Sequence, residues 1–297
     1  METPLLEKNM KKRKKKKIFK LIFLMGFLVA LYPLVTRLYY RTKVVEQVKD
    51  FDEAKAKLDK EEVDKRMRLA RGYNEALRNQ VPTDPYEKTQ QEEGKKAYAK
   101  MLEVHERLGH VEIPDIDQDI PLYAGTSEAV LQKGSGHMEG TSLPIGGNST
   151  HAVLTAHSGL PTARLFTDLK LLKVGDKFYV HNMKETLAYE VDQMKTVDPG
   201  NFEDLLIVPG HDYCTLLTCT PYMVNTHRLL VRGHRVKYVP AVEEKIIAER
   251  RSAYRYRVLF YVSLSVIAVL LVRLRKQKKK KKALEEAMRQ TKGRDNA

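Results

Sequence analysis

Two residue types placed nine positions apart carry the most chemical content in this chain. Cys219 closes an alternating apolar run, Tyr213-Cys214-Thr215-Leu216-Leu217-Thr218-Cys219, and Arg228 opens the next, Arg228-Leu229-Leu230-Val231-Arg232. A thiol attacks only as the thiolate, so a nucleophilic cysteine needs a cation or hydrogen-bond donors beside it. The residues between, 220–227, include Pro221 and Asn225 and read as a loop. If the flanking strands pair antiparallel, Cys219 and Arg228 face each other across the loop mouth. A guanidinium there offers planar donors for a substrate carbonyl or a developing oxyanion. The same spacing also fits an ordinary arginine on a strand surface.

A proton carrier is the third requirement, and nine histidines are available. His157 follows the run His151-Ala152-Val153-Leu154-Thr155-Ala156 and precedes Ser158-Gly159, which puts it at a strand exit, as Cys219 is. His151 at the far end of that run and His227 beside Arg228 are the other candidates. Spacing alone does not choose among them. Cys214 and Cys219 are an odd number of residues apart, so on one strand they point to opposite faces and do not bridge. Two cysteines do not make a disulfide framework, and Cys214 is expected to be buried and inert.

These residues need a sheet to hold them. From Val111 onward short apolar runs alternate with turn residues, and strands are expected at Val111–Ile113, Ile120–Tyr123, His151–Ala156, Lys177–His181, Thr186–Thr196, Asp212–Cys219 and Arg228–Tyr238. Helical stretches between them are brief, at Ser127–Lys133 and Thr162–Leu171. The expected fold is mainly β, a largely antiparallel closed barrel with short helices and a helical front. That front, residues 42–80, has intermittent helical spacing and breaks at Gln80-Val81-Pro82-Thr83-Asp84-Pro85-Tyr86; a weaker helical signal returns over 92–107.

The net charge of +15 raises nucleic-acid binding, but the excess sits at the two ends, at Lys11–Lys17 and Lys278–Lys282. Each block abuts a hydrophobic segment: 18–35 is apolar except for Lys20, and 258–272 carries no charge. Basic flanks beside apolar helices mark the cytoplasmic side of a membrane and contacts with lipid. The chain therefore reads as two-pass, with both termini cytoplasmic and the candidate residues outside. No small-x-small cleavage pattern follows the first segment, so it is expected to be an uncleaved anchor.

The wording around the candidates is also familiar. Thr215-Leu216-Leu217-Thr218-Cys219-Thr220-Pro221-Tyr222, Asn225-Thr226-His227-Arg228-Leu229-Leu230-Val231-Arg232-Gly233 and His151-Ala152-Val153-Leu154-Thr155-Ala156-His157-Ser158-Gly159-Leu160-Pro161 resemble the active-site segments of sortases, cysteine transpeptidases of Gram-positive surfaces. Within that family the chain looks like the class C, pilus-building group, and the likeness covers about Val111 to Val239. It implies Cys219 as nucleophile, His157 as general acid and base, and Arg228 as the residue that orients substrate. The implied reaction cleaves a Leu-Pro-x-Thr-Gly-like signal of a pilin through a thioester, which a pilin lysine then resolves. No cofactor, metal or nucleic acid is implied. By the same resemblance Asp84, Pro85 and Tyr86 form a lid, with Asp84 pairing Arg228 and Tyr86 covering Cys219. Ser158 departs from the basic residue often found after the histidine.

The expected organisation is a basic tail over 1–17, a membrane anchor over 18–36, and a helical extension over 37–108 with the lid at 83–87. The catalytic barrel follows over 109–240, then a juxtamembrane linker over 241–257, a second membrane helix over 258–273 and a basic tail over 274–297. Two other readings stand beside pilus assembly: a housekeeping sortase that attaches proteins to peptidoglycan, and a non-catalytic membrane-anchored scaffold that binds pilin tails.

Overall fold

The computed structural model describes residues 4–77 and 99–294. The lid residues Asp84, Pro85 and Tyr86 lie outside the described residues. Eight strands close into a barrel: β1 Gly109–Ile113, β2 Gln118–Ala124, β3 Ser135–His137, β4 Thr150–Thr155, β5 Lys177–His181, β6 Thr186–Val197, β7 Asp212–Thr220 and β8 His227–Val236. Their order around the barrel is β1-β2-β3-β4-β7-β8-β6-β5. Seven of the eight were expected within two residues at each end. Two pairings, β2 with β3 and β4 with β7, are parallel, so the sheet is mixed rather than uniformly antiparallel.

Alternation sorts the side chains into two clusters. Cys214, Leu216 and Val231 point into the barrel with Phe178, Tyr189 and Leu122. Val153, Leu217 and Leu230 point outward and are covered by Val197, Phe202 and Leu205, which border or belong to the β6–β7 connection. Gly233 lies opposite Cys214, and a Cβ there would meet the Phe178 ring at 2.7 Å, so a larger residue would push the interior apart. In β6 the register shifts between Val191 and Gln193, and the intervening Asp192 accepts two hydrogen bonds from Arg232 at 2.9 and 3.2 Å.

Helices α1 (Pro4–Lys55) and α2 (Lys60–Ala76) precede the barrel. Phe51 of α1 and Met67 and Ala70 of α2 join the interior cluster. Arg41 and Tyr40 of α1 reach the Asp117 carboxylate at 2.6 Å and the Lys133 carbonyl at 2.7 Å. The Asn74 side chain of α2 donates to the Leu143 carbonyl at 3.1 Å and accepts from its N–H at 2.7 Å. Arg66 donates to the carbonyls of Lys100, Met101 and Glu103 at the end of a helical turn over 99–102, where a cation complements the unpaired carbonyls. Between β2 and β3 lies the short helix α3, Glu128–Leu131.

The expected helix over Thr162–Leu171 is not formed. The segment is turns ending in a 3-10 turn at Leu169–Leu171. Ala163, Leu165, Phe166 and Leu169 are all buried, but Leu165 takes φ 41° and the Phe166 N–H is spent on the His157 carbonyl at 3.2 Å instead of a helical partner.

The second unit, residues 244–297, is helical up to Arg294 and continues helix α4, Pro240–Arg294. The stretch expected as a linker, 241–257, is thus helix running without a break into the apolar segment. Among the described residues one helix is long and apolar enough to cross a membrane, within Pro240–Lys278, with mean hydropathy 2.1. The first apolar segment lies within α1, where Ile22, Phe23, Met25 and Phe27 are exposed.

Candidate active site

Strand register brings the sequence candidates together. In the antiparallel β7–β8 pair, Cys219 lies directly opposite Arg228. In the parallel β4–β7 pair, Thr155 lies opposite Leu217, so His157, two residues on, comes level with Cys219. The Ala156 N–H donates to the Leu217 carbonyl at 3.3 Å and the Thr218 hydroxyl to the Ala156 carbonyl at 2.7 Å, which carries the pairing up to that point. Cysteine and arginine thus stand opposite each other on neighbouring strands about 5 Å apart, with the histidine two residues past the end of β4, the next strand over. Parity puts Cys219 and Arg228 outside the barrel, in line with Leu217 and Leu230.

Cys219 and Arg228 are set deep in that surface. Cys219 is 9% exposed and Arg228 7%, so the guanidinium beside the thiol is largely removed from water. Low dielectric strengthens a cation's hold on a neighbouring anion. Arg228 Nη1 also reaches the Asn225 carbonyl at 3.3 Å, which ties it to the loop it closes. That loop is compact, with the Val224 and Asn225 N–H groups both donating to the Pro221 carbonyl.

The chain after His157 folds back on itself. Besides the Phe166 N–H on the His157 carbonyl, the Gly159 N–H donates to the Thr167 hydroxyl at 3.0 Å. Gly159 has φ 86°, and a Cβ there would come within 3.3 Å of the Tyr222 ring, so only glycine suits this contact between the two loops. A cleft of about 240 Å³ opens between them, lined by Leu160, Arg164, Thr167, Lys170 and Tyr222.

The other two histidines are removed from this point. His151 sits at the opposite end of β4, opposite Tyr213. Its Nδ1 donates to the Leu206 carbonyl at 3.0 Å, because a carbonyl can only accept, so Nε2 accepts from the Thr215 hydroxyl at 2.8 Å. Burial pulls this imidazole down to about 4 and holds it neutral. It fastens the β6–β7 connection to the barrel. His227 is exposed at the start of β8 and pairs with Asp198 at 3.5 Å. Cys214 is fully buried in the interior cluster, and burial pushes its thiol well up.

Glu128 was not singled out from sequence. Its Oε2 lies 3.3 Å from His157 Nε2. A glutamate in the first turn of a four-residue helix carries no sequence signal of such a contact.

A closed eight-stranded barrel with a cysteine opposite an arginine on neighbouring strands and a histidine at the exit of the next defines a class, and known proteins share the barrel's fold. The sortase domain family matches residues 111–236. Sortase C-1 from Streptococcus pneumoniae is 66% identical with a TM-score of 0.62, over 65% of this chain and 100% of that one. The pilus-related sortase C of Group B Streptococcus is 60% identical with a TM-score of 0.61, over 64% and 97%. More distant is sortase A of Streptococcus agalactiae serotype III, 29% identical over 133 residues, 44% of this chain and 53% of the relative. Sortase A of Bacillus anthracis is 27% identical over 135 residues, 46% and 62%. The match thus spans between half and two thirds of these curated relatives, whereas the two sortase C structures are covered almost entirely. The chain belongs to the sortase family.

Proposed function

We propose that this chain is a membrane-anchored class C sortase that polymerises pilins. The carrying observation is the pairing of Cys219 with Arg228 across β7 and β8, with His157 two residues past the Thr155–Leu217 pair of β4 and β7. The Cys219 thiolate attacks the threonine carbonyl of a Leu-Pro-x-Thr-Gly-like signal, and Arg228 donates to the oxygen as charge develops on it. The threonine–glycine bond breaks, His157 gives a proton to the leaving glycine amine, and a thioester remains on Cys219. A lysine amine of the next pilin then attacks the thioester, its proton passes to His157, and an isopeptide bond replaces the C–S bond. Transfer from one acyl bond to another conserves the energy of the peptide bond, so the reaction needs no nucleotide.

Pilin subunits and membrane lipid are the partners in this reading. The exposed apolar side chains of α1 and the apolar window of α4 support two crossings, with both basic termini cytoplasmic and the barrel outside. Asp84, Pro85 and Tyr86 act as the lid, Asp84 against Arg228 and Tyr86 over Cys219. Asp84→Ala therefore speeds labelling of Cys219 by a thiol reagent, and an unchanged rate would remove the lid from the account.

The second reading, attachment of surface proteins to peptidoglycan, has the curated sortase A relatives on its side at 27–29% identity, against 60–66% for the sortase C structures. Incubation of the full chain with a sorting-signal peptide, followed by intact-mass measurement, tests the chemistry. The expected product is a thioester on Cys219 that is absent in Cys219→Ala. Addition of a pilin with its lysine should yield ladders resistant to sodium dodecyl sulfate. A thioester that passes only to cell-wall amines would favour the second reading, and no adduct at all would leave the scaffold reading standing.

A further inference from the structure

We propose that Glu128 is a positioning residue for His157. Its carboxylate lies 3.3 Å from Nε2, outside hydrogen-bond geometry, and acts on the imidazole by its charge. The inference rests on the acyl-transfer reading above and adds a carboxylate beside its proton carrier.

Topology puts Glu128 in reach. Helix α3 lies in the connection that returns the chain from β2 to the start of β3, and Gly136 of β3 pairs with Thr155 at the end of β4. The start of β3 and the strand exit carrying His157 are therefore at one end of the barrel. The Glu128 carboxylate is itself held, since Oε1 accepts from Gln132 Nε2 at 2.6 Å, one helical turn on. Its other oxygen, Oε2, is the one 3.3 Å from His157 Nε2.

A carboxylate this close favours the imidazolium over the neutral ring by charge alone. The groups facing His157 divide accordingly: Glu128 from α3 on one side, and Cys219 of β7 with Arg228 of β8 beyond it on the other. His157 carries a positive charge before it protonates the leaving amine and again once it has taken the proton of the incoming lysine. Arg228, two strands away, disfavours that charge, and Glu128 offsets it. Glu128 is 68% exposed while His157 is 18% exposed, so the pair is screened on one side and its effect is modest.

The test uses the full chain in detergent micelles, with a Leu-Pro-Glu-Thr-Gly peptide as acyl donor and either lysine or hydroxylamine as acceptor. Glu128→Gln should slow thioester formation by roughly two- to fivefold, the range for an exposed ion pair. It should slow transfer to both acceptors in step and move the alkaline limb of the acylation profile toward acid by about half a pH unit. Gln132→Ala leaves the charge but releases the carboxylate, so an intermediate loss is expected; thermal melts identify any effect of misfolding. Rates and limb unchanged in both variants would overturn the proposal. So would a loss confined to lysine, because that would make Glu128 a dock for the acceptor ammonium. If the unmodified chain forms no thioester, the acyl-transfer reading itself falls; if it does and Glu128→Gln matches it, only the role of Glu128 falls.

Discussion

Arg228 and Cys219 are partners because the eight residues between them make a tight loop, and the pair is nearly dry. A buried guanidinium does two things that an ammonium does separately or not at all: it keeps its charge and it presents a flat fork of donors. Arg228→Lys should therefore fold normally yet lose about 100-fold or more in thioester formation, the scale of losing one oxyanion donor. Peptide-turnover kinetics check this, and near-normal turnover would reduce Arg228 to a source of charge. The two cysteines should also differ in solution. Burial raises the Cys214 thiol, so native protein treated with iodoacetamide should gain one adduct, mapped to Cys219 by peptide mass. Two adducts would contradict the burial of Cys214. The cysteine–arginine pairing was legible in the sequence because the loop residues and alternation are local signals. Spacing did not choose His157 over His151, and only the resemblance to sortases did, because the geometric choice depends on β4 running parallel to β7, a neighbour more than fifty residues away.

At the scale of elements, strand positions followed directly from alternation, and β3 escaped because three residues, Ser135-Gly136-His137, are too few to alternate. Thr162–Leu171 misled for a different reason. Its apolar spacing suits a helix, but the backbone donor of Phe166 is needed to hold the carbonyl of His157. Tertiary demand outweighed local propensity there. A comparable demand operates at Asn74, whose single side chain satisfies both backbone groups of Leu143 at 4% exposure. Asn74→Ala should cost about 2 kcal/mol, since it strands a buried N–H and C=O. Thermal melts read this directly, and a loss under about 0.5 kcal/mol would mean that water replaces the amide.

Among the described residues, buried histidines contribute to the dependence of stability on pH in both senses, and burial lowers His181 as well. Burial pulls His137 and His151 down to about 4. In the unfolded chain each takes a proton near 6.5, so the unfolded state binds more protons between about 6.5 and 4, and stability falls as the solution is acidified through that window. By pH 4 each costs up to roughly 3 kcal/mol. His110 acts in the opposite sense. Burial lowers it, but Asp119 at 2.6 Å and Asp52 of α1 at 3.6 Å outweigh burial and carry it up to about 9. That stabilisation is complete below about 6.5 and is lost as pH rises through 9. Melting temperature should therefore peak near pH 6.5 to 7, and His110→Gln should flatten the alkaline side alone. A melting profile that keeps rising to pH 9 would refute this assignment.

Because the eight strands close on themselves, each has a neighbour on both sides, and unshared edge is confined to strand ends such as residues 192–197 of β6 beyond its pairing with β5. A peptide then finds little edge on which to add itself as a ninth strand, the route by which many extended ligands gain affinity from main-chain bonds that ignore sequence. On the proposed reading, selectivity for a sorting signal comes mainly from side chains and from the loops after β4, β6 and β7. Exchanging those loops between relatives should retarget the enzyme without disturbing the barrel that carries it.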